Sequence, residues 1–247
     1  TQKPTQNWFA SWFDTPYYHI LYSERDDAEA ASFIQALQQR LQINPGALVL
    51  DAACGKGRHA KTLEQMGLQV DAFDLSPQNI QEANALASEN LNFFVHDIRV
   101  PVPKQGAYDV VFNFFTSFGY FDVAADNLAA FQAFSKALKP GGILVMDFFN
   151  PSFVLSHLVR EEEVLRDGIK FFIKRWESNG FLYKSISFSD LGTDFQFEEK
   201  VELIAKQDFI AYAAQSGLSL VDLMGDYSLA QFDEKTSPRM VFIWVKK

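Results

Sequence analysis

The sequence predicts an α/β protein built on a doubly wound, mostly parallel sheet, with a three-stranded antiparallel sheet inserted into it. Three observations carry this expectation. Between residues 47 and 150, short apolar runs alternate with stretches of helical periodicity, the order of strand–helix–strand units. Those runs are apolar nearly throughout, as strands are when helices cover both faces of a sheet. After Pro151 the pattern changes to period-two alternation, and Asn179-Gly180 marks a hairpin turn.

The elements follow in order. The chain opens on an aromatic and then acidic stretch, NWFASWFDTPYYHILYSERDDAEAA. From Asp27 to Leu41 it reads as an amphipathic helix, with Ala30, Phe33, Ile34, Leu37 and Leu41 on one face and Asn44-Pro45-Gly46 as its stop. Strands are expected at 47–53, 68–75, 91–97, 108–115 and 142–150. A helix around 57–66 follows the first. Ser76 caps the next, with Pro77 at its favoured first position. Leu128, Phe131, Phe134 and Leu138 mark a helix stopped by Lys139-Pro140-Gly141-Gly142. A short helix from Pro151 leads into the inserted strands at 169–177, 181–189 and 195–204. A helix around 207–215 ends at Gly217, and strands at 218–224 and 239–247 close the sequence.

Bulk properties narrow the function. The 247 residues suit one large domain or a domain with an insertion. With 48% hydrophobic and 21% charged residues, the chain can bury a real core. Most of its 25 phenylalanines are expected to pack that core, and a share to line an apolar pocket. A net charge of −9 argues against a nucleic-acid backbone as partner, because phosphate contacts need Lys and Arg. No apolar run approaches membrane-spanning length and no signal-peptide pattern opens the sequence. Cys54 is the only cysteine, which excludes an intrachain disulfide; a cytoplasmic protein is expected.

The chemistry concentrates in VLDAACGKGRHAKTL, residues 49–63. Asp51 sits near the end of the first strand. Gly55 and Gly57 let backbone approach a ligand closely, and the following helix start offers free N–H groups. A tight turn that needs glycine and nothing more gives the same Gly-x-Gly. Asp74, at the end of the second strand, changes the balance, because a carboxylate there accepts hydrogen bonds from ribose hydroxyls. Together these point to an adenosine-containing cofactor. Gly55 to Ala60 also fits the dinucleotide fingerprint, but Asp51 would face a pyrophosphate repulsively. It suits the sulfonium and α-ammonium of S-adenosylmethionine.

With these pieces the sequence resembles the class I, Rossmann-like S-adenosylmethionine-dependent methyltransferases of small-molecule type. VLDAACGKG matches the first motif of that family and DAFDLS its ribose acid. VHDI (95–98) resembles the adenine-binding segment, YDVVFNFF (108–115) the fourth-strand motif, and LKPGGILVMD (138–147) the motif before strand five. Order and spacing hold across roughly residues 45–150. The resemblance implies a seven-stranded sheet with a reversed last strand. The element pattern divides the chain into a main domain of residues 1–160 and 206–247, with 1–43 as a helical lid, and 161–205 as an inserted β subdomain. The resemblance places Asp51 and the backbone of Ala53, Cys54, Gly55 and Gly57 at the methionine end. Asp74 would take the ribose hydroxyls, with Leu75 against the adenine. Asp97 would accept the adenine amino group, the Ile98 N–H would face the ring, and Asn113 would line the floor. Ala53 stands where the family has its first glycine. Cys54 is expected to pack rather than react, Lys56 and Arg58 to be solvated, and His59 to pack at the helix start.

Methyl transfer is an in-line displacement at an activated carbon, so positioning does most of the work; a base is needed only if the nucleophile arrives protonated. The absence of an obvious catalytic dyad therefore does not count against this reading; the catalytic residues stay open, and no metal site is expected. The signature of exocyclic-amine methylation in DNA is absent, Asn113-Phe114-Phe115-Thr116 standing in its place. Candidates for the acceptor pocket are Phe115, Phe118 and Tyr120 after strand four, with core packing as an equal alternative. Tyr17, Tyr18, Tyr22 and Arg25 come from the first segment, with His19 more often structural, and Tyr227 and Arg239 from the last connection. An arginine such as Arg25 would hold a carboxylate. The inserted sheet covers the acceptor or forms a dimer surface. Competing functions are a nicotinamide-dependent oxidoreductase, a binding protein that keeps the cofactor pocket without turnover, and an RNA methyltransferase, which would want a basic groove.

Overall fold

A computed structural model describes residues 12, 13, 15–22 and 27–247. Arg25, and much of the stretch read as a lid, lie outside the described residues. Two helices come first, α1 (Pro16–Leu21) and α2 (Asp27–Leu41). Alternation then begins with β1 (Leu48–Ala52), α3 (Arg58–Gln65), β2 (Gln69–Asp74), α4 (Pro77–Ala83) and β3 (Leu91–Val95). It continues with β4 (Tyr108–Asn113), α5 (Ala124–Ala137), β5 (Leu138–Phe149) and α6 (Pro151–Ser156). Four strands follow: β6 (Glu161–Arg166), β7 (Ile169–Ser178), β8 (Phe181–Asp190) and β9 (Thr193–Glu202). The chain closes with α7 (Lys206–Gln215), β10 (Leu218–Met224) and β11 (Arg239–Lys246).

The main sheet has seven strands in the order β10-β11-β5-β4-β1-β2-β3. β1 pairs in parallel with β2 and β4, β2 with β3, and β4 with β5. β11 runs antiparallel to both β5 and β10, which gives the reversed last strand. Because strand order turns outward from β1 in both directions, the crevice beyond the ends of β1 and β4 is the topological switch point. The central strands are buried on both faces. Val49, Val70, Phe112 and Val145 pack toward Phe33 and Leu37 of α2 and Ala60 and Leu63 of α3. Leu50, Phe73, Val111 and Met146 face Phe131 and Phe134 of α5 and Phe209 of α7. Successive strand side chains alternate faces, so Asp51 shares the face of Val49, and Asp74 that of Val70 and Ala72.

The caps follow their expected chemistry. The Ser76 hydroxyl accepts the Asn79 N–H at 3.0 Å, with Pro77 opening α4. Asn150 caps α6 and donates through its amide to Glu234 O and Ser237 O, at 2.9 and 2.8 Å, tying the β10–β11 connection to the end of β5. Strand pairing resumes directly at Leu138, with an irregularity before Val110–Ile143, so β5 includes the Lys139–Gly142 segment that sequence marks only as a stop.

The second sheet, β6-β7-β8-β9, is antiparallel throughout. It has one strand more than the period-two pattern marks. β6, EEEVLR, is half acidic and reads weakly as a strand, and its pairing with β7 supplies what its composition does not. Phe171, Ile173, Ile186 and Phe188 on its inner face pack against Trp12 and Leu21. Its last strand is stitched to the loop after β4 by the Glu202 N–H on Gly119 O at 2.7 Å. Among the described residues no helix is long and apolar enough to cross a membrane.

Gly57 is one place where only glycine fits. Its φ is +78°, and a Cβ there would stand 2.5 Å from the Phe93 ring of β3. Gly57→Ala should therefore lower stability by at least about 2 kcal/mol, the left-handed backbone and the overpacking adding, as read from the urea midpoint.

Candidate active site

The turn between β1 and α3 is compact because its backbone is left-handed at Ala53 (φ 64°), Gly55 (φ 56°) and Gly57 (φ 78°). Its register is fixed from β2. The Cys54 N–H donates to Phe73 O at 2.8 Å and the Gly55 N–H to Asp74 Oδ2 at 2.8 Å. Asp74 Oδ1 accepts the Ser76 N–H at 2.9 Å, so one carboxylate ties the first turn to the start of α4.

Asp51 is in a different state. It is 2% exposed, and its Oδ2 has no hydrogen-bond partner among the described residues. Burial, and secondarily the charge of Asp74, push its pKa up to about 7. An acid with an unpartnered oxygen out of water is costly unless something completes it. The group that would complete it is a cation or a donor.

Asp51 and Asp74 line the same cavity, of about 210 Å³, at the carboxyl edge of the main sheet. Ala53, Cys54, Gly55, Leu75, Asp97 and Ile98 line it with them. Gly57 and Asn113 are not on its surface. Gly57 starts α3, while Asn113 is fully buried and donates to Ala52 O at 3.0 Å and Ser117 O at 3.3 Å, holding the β1 end against the post-β4 loop. Asp97 is already engaged. Burial raises its carboxyl, but hydrogen bonds from Arg99 and the Arg99 charge more than reverse this, so it titrates below the usual range.

The acceptor-side candidates separate. Tyr18, Phe115 and Tyr120 line the cavity. Phe118 does not; it is fully buried against Phe131 and Phe209. Tyr17 turns to the second sheet, its ring against Phe188 and Phe195 and its hydroxyl donating to Asp190 Oδ2 at 2.9 Å, a bond that raises its pKa. Tyr22 also faces that sheet, where its hydroxyl donates to Glu199 Oε1 at 2.7 Å beside Lys184. Tyr227 and Arg239 lie behind Phe115 rather than on the rim, both bonded to Asp147.

Other lining residues carried little sequence signal. His59 is on the cavity wall, stacked on Phe115 at 4.4 Å and 26°, and not simply packed at the helix start. Phe13 meets Tyr18 at 4.9 Å and Tyr120 at 5.6 Å between ring centres. Asn79, whose Oδ1 is a second buried acceptor without a partner among the described residues, lines the same space with His96 and Arg99. Arg99 could have been noticed as the cation two positions after Asp97. Asn79 and His59 gave only helical phase.

A methyltransferase-domain family matches residues 49–142, the segment holding the turn, Asp74, Asp97 and β4. Residues 49–142 are a methyltransferase domain. The chain shares 32% identity over 110 residues with a ubiquinone biosynthesis O-methyltransferase of Xanthomonas campestris, covering 43% of this chain and 44% of the relative. The chain thus spans under half the length of that curated relative. In fold, it aligns with an S-adenosylmethionine-dependent methyltransferase of Clostridium acetobutylicum over 97% of this chain and 98% of that one (TM-score 0.78, 22% identity). It also aligns with CalS10, an amino pentose methyltransferase of Micromonospora echinaspora, over 94% and 98% (TM-score 0.71, 18% identity). The methyltransferase fold therefore extends through the inserted sheet as well as the matched segment.

The state of Asp51 predicts a pH signature of stability. A carboxyl whose folded pKa is raised to about 7 from 3.8 stabilises the fold fully below 3.8, and that contribution disappears as the pH rises through about 7. It is worth at most about 4 kcal/mol. Asp51→Asn does not titrate, so the Tm of the variant minus that of the wild type should increase between pH 5 and pH 8. A constant difference would show that Asp51 ionises normally.

Proposed function

We propose that the protein is an S-adenosylmethionine-dependent methyltransferase that moves a methyl group to a small-molecule acceptor by in-line displacement. The observation that carries this is the pair of aspartates on one cavity wall, Asp74 at the end of β2 and Asp51 buried with an Oδ2 that no described residue partners. S-adenosylmethionine supplies a methyl group already activated on a sulfonium. Asp51 would take the cationic methionine end, which restores its ionised form, with the backbone of Ala53 to Gly57 beside it. Asp74 would accept the ribose hydroxyls, Leu75 and Ile98 would flank the adenine, and Asp97, held by Arg99, would face its amino group. Asn113 would act indirectly, by holding the floor.

On the acceptor side, Phe13, Tyr18, Phe115 and Tyr120 would exclude water and align the nucleophile, an effect that reaches effective molarities of about 10⁵–10⁸ M. His59 is the nearest candidate for taking a proton from an acceptor that arrives protonated. A small-molecule acceptor is supported by the enclosed aromatic wall and by relatives that act in ubiquinone and amino-sugar chemistry. The acidic balance disfavours nucleic acid. The domain reading goes with this: residues 1–43 as lid, 161–205 as an insert over the acceptor side, and the remainder as the catalytic domain. A single cysteine suits a reducing compartment, so we place the reaction in the cytoplasm. Against a nicotinamide-dependent oxidoreductase stands Asp51, whose carboxylate would meet a pyrophosphate.

Calorimetry tests the proposal directly. S-adenosylmethionine should bind and the nicotinamide dinucleotides should not; the reverse pattern would overturn the reading. Its affinity should rise with pH up to about 7, as Asp51 ionises, and then level off, whereas Asp51→Asn should show weaker and flatter binding. Asp74→Ala should weaken binding by roughly 10- to 100-fold, the range for hydrogen bonds to a charged group. Methyl release over a metabolite panel separates turnover from binding alone.

A further inference from the structure

We infer that Asp147 is a positioning residue that sets the aromatic wall of the cavity, with Arg239 and Tyr227 acting through it; the functional part of this rests on reading the cavity as the methyl-transfer site. Phe115 and Thr116 are consecutive left-handed residues, φ 56° and 62°, and neither is glycine. A bulky residue and a β-branched one disfavour that backbone, so two in a row must be held from outside.

Asp147, at the end of β5 and 0% exposed, does most of the holding. Its Oδ2 accepts the Phe115 N–H at 2.8 Å and the Tyr227 hydroxyl at 3.1 Å. Its Oδ1 accepts Arg239 Nε–H at 2.8 Å, and its backbone carbonyl accepts the Thr116 N–H at 3.0 Å. Arg239 Nη2 reaches past it to donate to Thr116 Oγ1 at 3.0 Å. The Tyr227 ring fills the space between Phe33 and Phe115, at 4.6 and 5.4 Å. The result is that Phe115 lies flat on His59, and both rings face the cavity.

A buried ion pair is a weak source of stability, since well-packed apolar groups often serve as well or better. Its geometry is the stronger reason for it. Only a carboxylate at 147 accepts the Phe115 amide, a phenol and a guanidinium at once, and these come from the post-β4 turn, the β10–β11 connection and the start of β11. Three parts of the chain are thereby registered on one side chain, and the turn that shapes the wall is their common product.

The test uses NMR on the full chain. In Asp147→Asn, exchange of the Phe115 amide should accelerate at least tenfold while Val110 to Phe112 of β4 stay protected. The His59 ring-proton resonances should move toward those of an unstacked imidazole. Tyr227→Phe, which keeps the ring and removes one donor, should show the same displacement in smaller measure and serves if the first variant fails to fold. The double variant Asp147→Leu with Arg239→Met removes the ion pair without leaving a lone charge. Its Tm should recover toward wild type while the Phe115 and His59 signals stay displaced. Unchanged signals in the single variants, or signals that recover together with Tm in the double variant, would overturn the inference and leave Asp147 a core ion-pair partner. S-adenosylmethionine calorimetry on the wild type is run in parallel: no binding there would defeat the functional reading, and exchange would still decide the role of Asp147.

Discussion

Asp51 is an acid taken out of water with one oxygen that no described residue bonds, and the site is organised around that group. A fold does not accumulate such a cost in its core without return. Here the strand that carries Asp51 is the central one, pinned by parallel pairing on both sides, so the side chain cannot swing out to solvent. The turn that follows brings backbone over it, and Asp74 draws that turn down by accepting the Gly55 amide. A cation entering the cavity would meet both acids and favour the ionised form of Asp51. A phosphate there would be repelled, although the glycine spacing alone admits one.

Much of this was legible from residue order. The apolar strands, the Ser76-Pro77 helix start and the Asn179-Gly180 hairpin each depend on neighbours in sequence, and each stands where local chemistry puts it. The Asp51–Asp74 relation was legible because both are strand-end positions in a repeating unit. What escaped depends on contacts between distant segments. Asp147 reads as the polar end of a buried strand, and its meaning comes only from the β10–β11 connection folding back onto it. Phe118 and Phe115 are three positions apart in one loop, yet one is core and the other wall, because the left-handed turn at Phe115 and Thr116 reverses the loop. β6 is chemically a poor strand and was recruited by its partner. Tyr17 and Tyr22 were drawn from the cavity by acids on the inserted sheet, Asp190 and Glu199, which no local pattern connects to them.

The inserted sheet and the first helix form one cluster, with Trp12 and Leu21 buried among Phe171, Ile173, Ile186 and Phe188. Glu199 is the polar centre of that contact. Its Oε1 accepts both Trp12 Nε1–H at 2.8 Å and the Tyr22 hydroxyl at 2.7 Å, with Lys184 nearby to balance the charge. The outer rings of the cavity, Phe13 and Tyr18, therefore take their position from β8 and β9 more than from the main sheet.

That fastening separates two jobs along the chain. Asp51 and Asp74 are carried by β1 and β2, whereas Phe13 and Tyr18 pack on the cluster of the inserted sheet. Lengthening a hairpin of that sheet, or trading its inner phenylalanines for other sizes, would resize the mouth of the cavity while leaving Asp51 and Asp74 undisturbed. Lineages built on this plan have a route to new cavity mouths in which the wall of paired aspartates need never be rebuilt.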